Sequence, residues 1–522
     1  MTPPDTRGHA LRGRVARLAA DSDRLRVGLA ALLVAVPALG LYALTLLPDV
    51  DFWDTAEFQA VGSVLGIAHP TGYPTYTLLL WLASLAFGPL GNEAVRANLL
   101  SALAVAAGCG ILAGLAAALT RRLVAGVVTG AALAVTPQAW SVAVRADPHA
   151  LHLFFVCLLL GLLVGWQQRQ RAELAADRWL LGAAVAFGLS MGNHALTLLL
   201  VPGIVVFVIA VAPALLVERV RFAAGCVAAS ALAAAAVYAY LPLRSAMNPP
   251  LDYGNPQTLD GLLYVVFAEQ FRGSFHALPA VGDALSAVSG ETFAALSLIA
   301  LLIPVGVYEG VVRRGALLLL VATWAGVGWL FALAYSNAGI ERYYLTPLAG
   351  AALLAGLGAA SVWSAAERAL AAGPAARRVL AAALGIALLA TPAAAVPARY
   401  ERLDASGQAH GRAYLELALP VFERDAVVIS WWSISTTLWY GQFVEGRRQD
   451  LFVVDDSTRD DRDLGSVEEV IERFLGQRPV YLLRVPDDLP FYEGRYQLTQ
   501  VLPQPGIGSP IFRVDGRRPG GG

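Results

Sequence analysis

Long apolar runs separated by short polar connections occupy the first three quarters of the chain. Runs able to cross the roughly 30 Å hydrocarbon core of a bilayer fall near 28–47, 97–119, 123–142, 150–167, 178–192, 194–216, 222–243, 291–309, 315–335, 344–364 and 379–397. They predict about eleven spanning helices, one of them, 178–192, short for a crossing. A further run, "YPTYTLLLWLASLAFGPLG" at 73–91, is long enough either to span or to lie along the interface.

Arginine placement separates these two readings. All 38 basic residues are Arg, and the stretch before residue 28 holds Arg7, Arg12, Arg14, Arg17, Arg24 and Arg26. By the positive-inside rule that stretch is cytoplasmic. If 73–91 does not span, Arg121 and Arg122, Arg169, Arg171 and Arg178, Arg219 and Arg221, Arg313 and Arg314, and Arg368, Arg377 and Arg378 all return to the cytoplasmic side. If it spans, every one of these clusters falls outside. The segment is therefore expected to be an interfacial or re-entrant helix. The run at 28–47 is longer than the apolar part of an ordinary signal peptide and is followed by no clear small-residue cleavage site, so it reads as an anchor.

Beyond about residue 398 the pattern becomes mixed and charged. "AVVISWW" (426–432), "LFVVDD" (451–456) and "PVYLLRV" (479–485) read as buried strands, with helical stretches at 434–445 and 466–476. The expected class is a mostly α, polytopic membrane protein. Its parts are a cytoplasmic segment 1–27, a transmembrane domain 28–397 with a first outer loop 48–96, and a small extracytoplasmic α/β domain 398–522.

Composition agrees with that class. The chain is 57% hydrophobic and 15% charged, against roughly 25% charged in soluble globular proteins. Its net charge of -1 provides no basic field for nucleic acid. Cys109, Cys157 and Cys226 all sit in apolar stretches and read as packing residues.

With the topology fixed, the outer connections collect Asp51, Asp54, Glu57 and His69; Arg145, Asp147, His149 and His152; Asn193 and His194; Arg244, Asp252, Tyr253 and Asn255; Glu269 and Arg272; and Glu341, Arg342, Tyr343 and Tyr344. Ionisable groups at membrane depth face a partner or a cavity. Single arginines suit phosphate oxygens, because guanidinium stays charged and binds them in a bidentate manner. A carboxylate beside them suits deprotonation of a hydroxyl or a metal-ligand role. The set suggests transfer from a phosphorylated donor. Each member also has an ordinary structural reading: a capping pattern in "DTAEF", a turn at His69, an internal ion pair of Arg145 with Asp147, interfacial anchoring by Arg342 and Tyr343, and domain packing by Trp431 and Trp432.

Taken in order, "WDTAEF", "AHPTGYPTYTLL", "AVRANLLSALAVA", "GNHALTLLLVPG" and "YLPLRSAMNPPLDYGNPQTLDGL" strongly resemble the bacterial relatives of the transmembrane protein O-mannosyltransferases that modify IPT domains. These are members of the C-type (GT-C) glycosyltransferase superfamily. The resemblance covers about 30–275 and continues weakly into "ISTTLWYGQFVEGRRQDLFVVDD". It implies a polyprenyl-phosphate sugar donor and a bacterial inner-membrane enzyme working on the outer face. It places the catalytic base or a metal ligand at Asp54 with Glu57 beside it, leaves Asp51 a solvated neighbour, and makes a divalent cation, Mg or Mn, a candidate cofactor. His69 to Pro74 match the family's "HPPGYP" segment, with Thr71 in place of a proline. "VRADPHALH" departs from the family's usual "AEVY-L", with Asp147 in place of Glu.

The expected function is transfer of a single sugar, mannose by resemblance, from a polyprenyl-phosphate carrier to a hydroxyl of an extracytoplasmic protein or glycan. Asp54 and Glu57 form the expected reaction centre. His69, Arg145, Asp147, His194, Arg244, Asn255, Arg342 and Tyr343 are the expected binding residues, with Arg244 and either Arg145 or Arg342 on the phosphate. The alternative from another class is a transporter or flippase of lipid-linked sugar, which predicts inverted repeats around a midplane site. No repeat stands out. A non-catalytic protein that keeps the fold is a third reading, disfavoured by Asp54, Glu57 and Arg244.

Overall fold

The structure, a computed structural model, describes residues 6–369, 373–483, 488–503, 506 and 508–519. Among these, eight helices are long and apolar enough to cross a membrane: Asp21–Leu44, Glu93–Thr120, Pro148–Arg171, Val220–Ser245, Val281–Arg313, Gly315–Leu333, Ile340–Arg368 and Ala375–Leu403. A ninth candidate is the pair Leu123–Ala134 and Pro137–Ala143, bent by 67°. Two further runs expected to span form shorter helices, Asp177–Met191 of 15 residues and the broken segment Ala195–Val211. The run at 73–91 yields the short apolar helix Pro74–Ala86.

Helices form here because hydrocarbon offers no partner for backbone N–H and C=O groups, and small residues then let them approach. Gly126 and Gly130, one turn apart, show this. A Cβ at either would stand 2.6 Å from a carbonyl oxygen of Glu93–Thr120, that of Ala113 or Cys109 respectively. Only hydrogen fits between the two helices at these points.

The bend after Ala134 removes carbonyls from their helical partners, because Pro137 opens the next segment without an N–H. Arg399, only 8% exposed, fills that gap. Its guanidinium donates to the carbonyls of Val135 (2.7 Å), Ala294 (2.9 Å) and Ala295 (2.8 Å), joining three segments. Arg399→Met is expected to cost about 2 kcal/mol or more, the worth of a hydrogen bond to a charged group. The thermal midpoint of the purified protein reads this, and an unchanged midpoint would refute the clamp.

The C-terminal part carries a five-stranded sheet. Its strands are β1 (Val427–Ile429), β2 (Phe452–Val454), β3 (Val480–Leu482), β4 (Tyr496–Leu502) and β5 (Ile511–Arg517), in the spatial order β2-β1-β3-β5-β4. β1 pairs in parallel with β2 and β3, whereas β5 is antiparallel to β3 and β4. The three apolar runs contribute the short parallel core strands. The β4–β5 hairpin was not foreseen: along β5 buried Phe512 and Val514 alternate with exposed Arg513 and Asp515, a weaker signal than a continuous apolar run. Helix Trp432–Trp439 packs against helix Trp53–Val64. Arg412 ties the two parts together through Asp49 at 2.9 Å and through Glu445.

Candidate active site

Helix Trp53–Val64 carries both expected carboxylates, Asp54 in its first turn and Glu57 three residues later on the same face. Burial separates them. The Glu57 side chain is 4% exposed, whereas that of Asp54 is 35% exposed. Both Glu57 oxygens are occupied: Oε1 accepts from the backbone N–H of His69 at 2.7 Å, and Oε2 meets His69 Nδ1 at 2.5 Å. His69 Nε2 then faces the Tyr73 hydroxyl at 3.3 Å.

Burial pushes the Glu57 carboxyl above its ordinary range. Burial alone would lower His69, but the adjacent Glu57 charge and hydrogen bond outweigh it and leave the imidazole raised. With both values raised, the folded state holds protons that the unfolded chain releases. Stability is then fully present below the unfolded values and falls as pH rises through the raised value of His69, above about 6.5. Glu57→Gln is expected to flatten that decline in a series of thermal midpoints, and a midpoint curve of unchanged slope would count against the pair.

Asp54 faces a different set. Its Oδ1 accepts from the Trp432 indole N–H at 3.1 Å. Its Oδ2 stands 3.8 Å from Arg342 Nη1, which also donates to Asp147 Oδ2 at 3.3 Å. Arg342 is fixed by the carbonyls of Gly339 (3.2 Å) and Ala338 (3.1 Å). Asp147 caps helix Pro148–Arg171, with Oδ1 accepting from the His149 backbone N–H at 2.8 Å and facing His149 Nδ1 at 2.9 Å. Burial would raise the Asp147 carboxyl, but His149 and Arg342 beside it outweigh burial and hold it well below the usual carboxylate range. One guanidinium therefore bridges two carboxylates, one buried and one open.

His194 and Tyr343 complete the surround. The His194 ring lies 4.6 Å from His149 and 5.6 Å from Tyr73, and Tyr343 lies 5.1 Å from His149. His194 Nδ1 accepts from the Leu196 N–H at 3.2 Å, and burial holds its pKa well below that of an ordinary histidine. The residue serves as a wall and a cap.

Three expected binding residues are placed otherwise. Arg244 turns onto the C-terminus of helix Trp53–Val64, donating to the carbonyls of Leu65 (2.6 Å) and Val64 (3.1 Å), a favourable place for a cation. Arg145 lies 3.9 Å from Asp51, whose side chain is only 18% exposed. Asp51 is thus a paired residue where a solvated neighbour was expected, and Arg145 pairs with it instead of Asp147. Asn255 accepts from Ser245 at 3.4 Å and lines a cavity above the site.

Trp432 was expected only to pack the C-terminal domain, yet it touches Asp54. Their separation of 378 positions hides this contact from any local pattern. The residues present do not suit a protein-held divalent cation. Among the described residues no group of three or more His, Cys, Asp and Glu could share a metal, and both Glu57 oxygens are already committed to His69.

This fold, a polytopic helical part joined to a small α/β part, is shared with a solved structure. The solved structure of ArnT from Cupriavidus metallidurans bound to undecaprenyl phosphate superimposes with a TM-score of 0.63 at 14% identity, covering 92% of this chain and 97% of that one. Its apo form gives 0.58 at 15% identity over the same shares. In sequence the chain is similar to a protein O-mannosyltransferase. Residues 54–215 match the family described as the protein O-mannosyl-transferase TMEM260 N-terminal domain. The mouse protein O-mannosyl-transferase TMEM260 is 27% identical over 266 residues, which make up 48% of this chain and 35% of that protein. The chain thus spans about a third of the length of this curated relative.

Proposed function

We propose that the protein is a membrane glycosyltransferase that moves a single sugar, with mannose the first candidate, from a polyprenyl-phosphate carrier to a hydroxyl of an extracytoplasmic protein or glycan. The observation that carries this reading is the accessible Asp54 carboxylate 3.8 Å from Arg342, a guanidinium already fixed by Asp147. A base and a phosphate-binding cation then stand side by side. The similarity to an O-mannosyltransferase, and to a fold solved with undecaprenyl phosphate, supports the choice of donor and reaction.

In the proposed step the acceptor oxygen attacks the anomeric carbon from the face opposite the phosphate. The bond between that carbon and the phosphate oxygen breaks, and the electron pair leaves with the polyprenyl phosphate. Asp54 takes the acceptor proton, and Arg342 stabilises the charge gathering on the leaving phosphate. Glu57, closed over His69, positions the helix that presents Asp54. The Arg distribution supports a site and C-terminal domain on the outer side of a bacterial inner membrane.

The test is incubation of purified protein with labelled polyprenyl-phosphate sugars and secreted or membrane protein fractions. Label transfer that disappears in Asp54→Asn is the expected result. Failure with every lipid donor, with the protein folded, would overturn the reading.

A further inference from the structure

Above the Glu57–His69 pair lies a cavity of about 600 Å³, lined on one side by the segment from Asn248 to Asn255 and on the other by Trp432, Trp439 and helix Asp456–Asp461. Its volume falls in the range of about 300–1,000 Å³ that holds ligands. Two contacts between the parts form its far wall: the Gly254 N–H donates to Asp461 Oδ2 at 3.1 Å, and the Ser457 hydroxyl donates to Tyr253 Oη at 2.8 Å. Trp432 connects the cavity to the reaction centre. Its ring lies 6.0 Å from Trp439 and 5.8 Å from Tyr253, while its N–H holds Asp54. A group resting on this aromatic wall is led to the proposed base.

The lining carries three carboxylates and one guanidinium. Glu57, Asp252 and Asp461 face Arg462 alone among the described lining residues, and Arg462 lies over the Phe452 ring at 5.1 Å. Glu57 is matched by His69, and the Arg244 guanidinium, held by the carbonyls of Val64 and Leu65, keeps its charge near Asp252 but makes no hydrogen bond to it. Asp252 is half committed: Oδ2 accepts from Ser245 at 2.8 Å, but the buried Oδ1 has no donor. An acceptor atom out of water and without a partner is costly unless a ligand supplies the hydrogen. Asn248 and Gln257 add side-chain amides, which match both the N–H and the C=O of a peptide.

We infer that this cavity receives the acceptor, that Asp252 takes a hydrogen bond from it, and that it selects a hydroxyl-bearing polypeptide segment without negative charge. Like charges across an interface reject a wrong partner more than opposite charges strengthen a right one. The inference rests on the transferase reading, and binding measured apart from transfer separates the two.

The probes are two Ser/Thr-containing peptides, identical except for flanking Lys or flanking Glu, titrated against the full chain in detergent. The Lys-flanked peptide is expected to bind the unmodified protein about tenfold or more tightly than its partner. Asp252→Asn should narrow that ratio. Equal binding, or tighter binding of the Glu-flanked peptide, overturns the inference without relying on any variant. Binding of a neutral oligosaccharide but of neither peptide overturns it in favour of a glycan acceptor. Charge-selective binding with no transfer from any lipid donor would keep the cavity assignment as a peptide site and remove the transferase reading.

Discussion

Asp54→Asn is expected to lower sugar transfer by about 10²- to 10⁴-fold, the usual contribution of a proton-transfer base, while the protein stays folded in the membrane. Asparagine is nearly isosteric, and its carbonyl oxygen can still accept from the Trp432 indole that Asp54 holds at 3.1 Å. It loses only the negative charge and the ability to take a proton. The loss should therefore fall on kcat, with the affinity for lipid donor little changed. Steady-state kinetics beside a thermal midpoint test this, and full activity in Asp54→Asn would remove the residue from the reaction. Glu57→Gln serves as the internal contrast: a fully buried partner of His69 should affect stability more than chemistry.

Arg342 carries the second large expectation. Arg342→Gln should reduce transfer by about 10²- to 10³-fold, the scale of removing one preorganised donor from a developing charge. Two effects combine here. The leaving phosphate loses its cation, and Asp147, which accepts from Arg342 at 3.3 Å, loses one of the groups holding it ionised. Arg342→Lys separates them, since an ammonium keeps the charge but cannot bridge as a planar fork. It should recover part of the rate and more of the stability. Binding of undecaprenyl phosphate to the two variants provides the independent measure, and wild-type affinity in Arg342→Gln would dismiss the phosphate role.

Much of the fold was legible in the chain because hydropathy acts locally. Nearly every apolar run became a helix, since a segment in hydrocarbon must satisfy its own backbone. Arginine counting singled out 73–91, which forms the short helix Pro74–Ala86. The three apolar runs after residue 398 supplied β1, β2 and β3. The β4–β5 hairpin escaped because half of its positions face water and carry polar residues.

The candidate site was legible in its members but not in their partners. The resemblance picked out Asp54 and Glu57 in the first outer loop, and the structure puts them on one helix. The sequence could not show that Glu57 would be buried against His69 while Asp54 stayed open, because that depends on where the loop carrying His69 returns to the helix. In the sequence Arg244 was the expected phosphate ligand, with either Arg145 or Arg342 beside it. The tertiary structure sends Arg244 to a helix C-terminus and Arg145 to Asp51, and leaves Arg342 between Asp54 and Asp147.

The sequence by itself determined a polytopic helical protein with a small α/β domain and pointed to Asp54 and Glu57 in its first outer loop. Apolar periodicity, charge counts and residue type are properties of short stretches, so they survive without a structure. Only the tertiary structure decided which carboxylate is free, which arginine stands beside it, and that Trp432 closes the site with a cavity above it. Those are set by contacts that run from Glu57 with His69, 12 positions on, to Asp54 with Trp432, 378 positions on, where desolvation and hydrogen bonding choose among side chains that the sequence leaves alike.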